Sequence, residues 1–122
     1  MQRLEVALRY YDRLAAGDGE GAAALFAPDG VIDDFAGGHH AGRAAIAHFI
    51  GSSVRQGALD LEVPVHHFEG GPRLNVYGRA TMPGNFEGTI IVRWVFHFES
   101  QAAGKQIEYL CNSRVDEIPG QD

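Results

Sequence analysis

Cysteine is all but missing: Cys111 stands alone, so no disulfide can form within the chain, and a reducing compartment such as the cytoplasm is expected. Positive charge is also scarce. Ten Lys and Arg face sixteen Asp and Glu, a formal charge of −6, which lacks the basic footprint of a nucleic-acid binder. No apolar run reaches the roughly 20 residues of a membrane-spanning helix, so neither nucleic acid nor membrane is an expected partner. The opening stretch MQRLEVALRYYDRL is broken by charge throughout and does not read as a signal peptide. There is no internal repeat, low-complexity tract or linker. With 45% hydrophobic residues in 122, the chain can form a single domain, 1–122, with its own core.

What is present divides into two periodicities. In residues 1–16, Leu4, Ala7, Leu8, Tyr11, Leu14 and Ala15 recur at helical spacing, with charges elsewhere. Gly17 ends that helix, and Asp18 can cap a second one carrying residues 22–26, which stops before Pro28. Pro28-Asp29-Gly30 reads as a turn, residues 31–35 as a short strand, and Gly37-Gly38-His39-His40 as a loop. A third helix from about Gly42 buries Ile46, Phe49, Ile50 and Val54 and leaves His48 exposed.

Beyond that point the period falls to two. Strands are expected over residues 59–68, 74–82, 89–99 and 106–118, with turns at Gly70-Gly71-Pro72 and Pro83-Gly84-Asn85 and a loop at 101–104. In the third of these strands Ile90, Val92, Trp94, Phe96 and Phe98 share a face. The connections are too short for parallel crossovers, so the meander should be antiparallel. Helices first and strands afterwards give an α+β domain, a long curved sheet wrapped on three helices with a pocket between them. The tail after Pro119 is expected to fray.

The segment 27–49 carries the most chemistry. A strand ends in Asp33 and Asp34, beside a Gly/His loop and a helix. Strand alternation sends the two carboxylates to opposite faces, so only one can line a pocket. A carboxylate in apolar surroundings is a stronger base than one in water, and proton abstraction beside a carbonyl also needs a donor for the developing oxyanion. His39 or His40 suits a second acid–base or pocket-rim role. Adjacent histidines on a strand diverge, and no Cys or Glu spacing completes a zinc pattern, so no metal site and no cofactor are expected. Trp94 and Phe96 read as wall and core, with Trp94 the aromatic best placed to touch a ligand. Cys111 has no visible catalytic partner and reads as structural.

The pieces RYYDRLAAGD, ALFAPDGVIDDFAGG, GRAAIAHF and the final strand pair resemble the NTF2-like superfamily, in its ketosteroid isomerase and SnoaL-like polyketide cyclase branch. The resemblance covers nearly the whole chain and implies a cone-shaped fold with an enclosed pocket. It sets Asp34 at the place of the carboxylate base and Tyr10 at that of the phenol donating to the oxyanion. Trp94 falls where the family has a neutral carboxylic acid, and an indole N–H donates but is no acid. On the last strand the resemblance turns Leu110, Asn112 and Arg114 toward the pocket, whereas plain alternation buries Ile107, Tyr109, Cys111 and Val115. Inward Asn112 and Arg114 would favour a polar or anionic ligand over a plain steroid.

Helical spacing centres the apolar stripe on Tyr11 and leaves Tyr10 at its boundary. The outer sheet face, with Ile91, Arg93, Val95 and His97, suits a subunit interface, and the resemblance implies a homodimer through it. Three functions follow. The chain moves a proton on a small hydrophobic carbonyl compound, or activates water in a hydratase or hydrolase manner, or binds a small organic ligand without catalysis.

Overall fold

A computed structural model of the chain describes residues 3–53, 60–70, 73–81, 89–98 and 106–120. Helices α1 (Arg3–Ala15), α2 (Gly19–Ala23) and α3 (Arg43–Ser53) pack on a curved, unclosed six-stranded sheet. The strands are β1 (Phe26–Asp33), β2 (His39–Ala41), β3 (Asp60–Gly70), β4 (Arg73–Thr81), β5 (Thr89–Phe98) and β6 (Ile107–Val115). Their order is β2-β1-β6-β5-β4-β3. The pair β1–β6 is parallel and the other pairs are antiparallel, as expected of the meander.

Local chemistry explains the first two helices. The apolar stripe of α1 is rotated from the expected one: Val6, Ala7, Tyr10, Tyr11 and Leu14 are buried, while Leu8 is exposed. Gly17 adopts φ 69° and lets the Gly17 and Asp18 amides bond back to Leu14 and Arg13, which closes α1. Asp18 caps α2 by accepting from Gly21 N at 2.9 Å.

Helix α2 is shorter than expected, because Phe26 already belongs to β1. Pro28-Asp29-Gly30 does not separate helix from strand either. Phe26 pairs with Ile107 and Val31 with Tyr109, so the residues between them swell out as a bulge inside β1. A bulge tolerates a proline because no ladder N–H is needed there. Arg43 secures it, donating Nε and Nη2 to the Phe26 carbonyl at 2.9 and 2.7 Å.

The Gly/His stretch is also more regular than a loop. His39–Ala41 forms the edge strand β2, paired with residues 31–33. In α3, Ile46 and Ile50 are buried and His48 is exposed as expected, while Val54 lies outside the described residues. So do Gly71-Pro72, Pro83-Gly84-Asn85 and 101–104, where turns and a loop were expected.

The helix-facing side of the sheet is the core. Ile90, Val92, Trp94, Phe96 and Phe98 alternate into it along β5, with Leu74, Val76 and Ala80 beside them on β4. The conflict on β6 is resolved by a register shift opposite His97 and Phe98. It lets both Ile107 and Leu110 be buried, so Leu110, Asn112 and Arg114 pair with the inward residues Phe96, Trp94 and Val92. Tyr109 and Cys111 fall on the outer face, contrary to plain alternation. Ile118 is buried and Gly120 lies against His66 of β3, while the end of the tail, where fraying was expected, lies outside the described residues.

Candidate functional site

The end of β1, the turn after it and β2 bring two carboxylates and two histidines together. Ile32 pairs with His40 and Asp33 with His39 across the hairpin. Alternation then divides the four side chains between the two faces of the sheet.

On the helix side, His40 Nε2 meets Asp34 Oδ2 at 2.9 Å, with side-chain exposures of 23% and 12%. The other carboxylate oxygen, Oδ1, accepts from Ala36 N at 2.9 Å and Gly38 N at 2.8 Å. The Asp34 amide and carbonyl bond to Gly38 O and Gly37 N, so the same residue builds the turn. Gly37 provides the φ of 93° that the turn needs. The His40 imidazole stacks on Phe49 of α3, with ring centroids 3.9 Å apart and planes 17° from parallel.

Burial is the largest influence on the Asp34 carboxyl and pushes it up, but hydrogen bonds from His40, Gly38 and Ala36 together outweigh it. The group is held below its ordinary value of 3.8. Asp34 is therefore a stabilised carboxylate, not one primed by desolvation. An ionised carboxylate only accepts, so the proton shared with it resides on His40 Nε2, and in the neutral ring Nδ1 then carries the lone pair.

The outer face holds the second group. Asp33 accepts from the Tyr109 hydroxyl and contacts His39 Nδ1, each at 2.5 Å. The Tyr109 and His39 bonds lower the Asp33 carboxyl, while the bond to Asp33 raises the Tyr109 phenol, helped by burial and by Cys111. His97 packs edge-on against Tyr109 at 5.2 Å. His39 is 65% exposed, so this arrangement is a surface brace joining β2, β1 and β6.

The remaining candidate residues fall in the interior or at its margin. Tyr10 is not at the edge of the stripe: it is 1% exposed, and its ring packs edge-on against Tyr11, Phe26 and Phe96 at 5.6–6.0 Å. Burial raises its phenol well above the ordinary range. Trp94 and Phe96 are buried on the helix-facing side. Asn112 is half-buried and shares that side with Trp94, while Arg114 is exposed. Among the described residues, no three His, Cys, Asp or Glu side chains are grouped so as to hold a metal ion.

Two features escape a reading of spacing alone. One is the Asp34–His40 pair, whose signal is DD followed by HH on antiparallel strands. The other is Tyr11, whose ring meets Trp94 edge-on at 5.0 Å. Its phenol, raised by burial and then by Tyr10, stays a protonated donor.

A family model described as a SnoaL-like domain matches residues 7–111. The chain belongs to the SnoaL-like family. No curated protein matches it. Among solved structures, this SnoaL-like chain is similar to a protein from Sphaerobacter thermophilus, 27% identical with a TM-score of 0.76, covering 93% of this chain and 96% of that one. It is also similar in fold to SalBIII, an epoxide hydrolase/cyclase-like enzyme of pyran ring formation in salinomycin (22% identity, TM-score 0.73, coverage 93% and 90%). A third is a ketosteroid isomerase-like fold from Catenulispora acidiphila in complex with trimethylamine (13% identity, TM-score 0.70, coverage 88% and 83%). These neighbours set the SnoaL-like chain among the NTF2-like folds, as the resemblance implied.

Proposed function

We propose that this SnoaL-like chain is a cofactor-independent enzyme that moves a proton on a small hydrophobic carbonyl compound. His40 Nδ1 takes the proton. Asp34 orients the imidazole and offsets the positive charge that develops on it. The observation that carries this reading is the 2.9 Å Asp34–His40 contact in a setting where Asp34 is only 12% exposed. It moves the base one step from the carboxylate to the ring. Three hydrogen bonds already occupy the Asp34 oxygens, whereas Nδ1 has a lone pair to offer.

A second reading is favoured by Trp94. It stands where the resemblance calls for an acid, and an indole cannot supply one. A carboxylate-oriented imidazole is equally able to deprotonate water, which gives a hydratase or hydrolase of the same architecture. The outer sheet face, where Ile91 and Val95 lie beside Arg93 and His97, is proposed to join two copies of the chain. Analytical ultracentrifugation tests that point.

The experiment is proton exchange in deuterated water, followed by NMR over a panel of small cyclic ketones and enones. Proton transfer predicts catalysed exchange beside the carbonyl, reduced about 100-fold or more in His40→Gln and less in Asp34→Asn. Product that carries oxygen from labelled water supports hydration instead. Exchange that persists unchanged in His40→Gln overturns the assignment of the base.

A further inference from the structure

We propose that Tyr11 and Asn112 form an interior anchor for the hydroxyl group of a small apolar ligand, beside the Trp94 indole that both adjoin. The Tyr11 hydroxyl and Asn112 Oδ1 are both shut off from solvent and have no hydrogen-bond partner among the described residues. Groups of this kind are rare in folded proteins, because an unmade buried hydrogen bond is costly. Both residues adjoin the same indole. Tyr11 meets Trp94 edge-on at 5.0 Å, and Asn112 is the cross-strand partner of Trp94 on the helix-facing side. Arg93 Nε also lacks a partner among the described residues, but Arg93 lies on the other side of β5 and belongs to a different environment.

Asn112 lies close in the fold to the Asp34–His40 contact. Asp33 and Cys111 form the last step of the parallel β1–β6 ladder; Asp34 directly follows the end of β1, and Asn112 is the next residue of β6.

The donor and acceptor pattern selects the ligand. Tyr11 offers an O–H, and Asn112 offers a carbonyl oxygen. A ligand hydroxyl satisfies both, accepting from Tyr11 and donating to Asn112. A ketone oxygen can only accept, and would leave Oδ1 unpaired. A bare hydrocarbon satisfies neither. The apolar surroundings supplied by Trp94, Phe96 and Val92 suit a compact alicyclic or aromatic body.

This inference deepens the small-molecule reading above by naming a ligand class. Its test requires no turnover, so its failure and that of the proton-transfer reading are separable. Cyclohexanol, cyclohexanone and cyclohexene are titrated into the full chain by calorimetry. Emission from Trp94, the only tryptophan, reports whether they reach the interior. Cyclohexanol should bind about 10-fold more tightly than the other two. Tyr11→Phe and Asn112→Ala should each erase most of that preference while leaving cyclohexene binding unchanged. A purely structural role would move thermal stability without altering the ratio. Equal binding of the three probes overturns the proposal. So does the absence of both heat and an emission change, the result expected if the pair holds only water. Should a variant fail to fold, the wild-type preference decides.

Discussion

Asp34 Oδ2 and His40 Nε2 stand 2.9 Å apart across the β1–β2 hairpin, on the side of the sheet packed by α3. The contact orders two different things. It orients an imidazole, and through the other carboxylate oxygen it holds the turn that connects the strands. The two functions separate on substitution. Asp34→Asn keeps an oxygen for the Ala36 and Gly38 amides but loses the charge that supports a protonated imidazole. It should fold near normally and lose about 10–100-fold in turnover, less than His40→Gln loses. Steady-state rates set beside urea melts check this, and full turnover in a folded Asp34→Asn would rule it out.

Gly38 is required by that contact and not by its own backbone. An added Cβ would lie 2.3 Å from Asp34 Oδ2 and 2.9 Å from His40 Nε2. Gly38→Ala should therefore separate the pair, costing about 1–3 kcal/mol of stability and most of the turnover. Gly37→Ala meets no crowding but demands a left-handed φ, so it should cost about 1 kcal/mol and disturb turnover far less. Urea melts alongside activity assays of the two variants distinguish crowding from backbone strain.

Helix α2 meets α3 backbone to backbone at Gly19. A Cβ there would lie 2.1 Å from the Ala47 carbonyl oxygen, and a carbonyl in a helix cannot swing aside as a side chain can. Gly19→Ala should destabilise the chain by about 3 kcal/mol, at the upper end of the range for overpacking. A thermal shift smaller than that of Gly38→Ala would show that the helices part easily.

Acid should weaken the fold in two steps. Burial, then the charge of Arg73, lowers the His97 imidazole below 6.5 against the opposing pull of Glu108. Its contribution to stability is whole above about pH 6.5 and is lost as the pH falls toward the folded value. Asp33 and Asp34 are lowered from 3.8, so their contribution is whole above that value and is lost only in stronger acid. Denaturation midpoints from pH 8 to pH 3 should show both declines. His97→Gln should remove the upper one and leave the lower.

Much of this architecture is legible in the sequence because burial imposes a period. Strand β5 reads clearly, since Ile90, Val92, Trp94, Phe96 and Phe98 alternate on a sheet with one buried face. The Gly17 stop and Asp18 cap read equally well, because each is a local piece of hydrogen-bonding chemistry. The misreadings cluster where a long-range partner overrode a local signal. Pro28-Asp29-Gly30 has the composition of a turn, but β6 pairs on both sides of it and absorbs it as a bulge. Tyr10 sits off the centre of the expected stripe, yet rings from β1 and β5 enclose it. The two Asp–His pairs needed the register of β2 against β1, and a three-residue edge strand is too short to announce its register.

Strand β6 comes last in the order of elements but lies inside the sheet, between β1 and β5. During synthesis the α1–β2 half and the β3–β5 meander therefore emerge as separate pieces, with no strand yet to join them. Asp34 has no Asn112 beside it, and Trp94 has no cross-strand neighbour on that side, until β6 slots between them. Assembly of the site waits on that one insertion. A chain divided between β5 and β6 should therefore regain its interior only when the β6 peptide is supplied in trans.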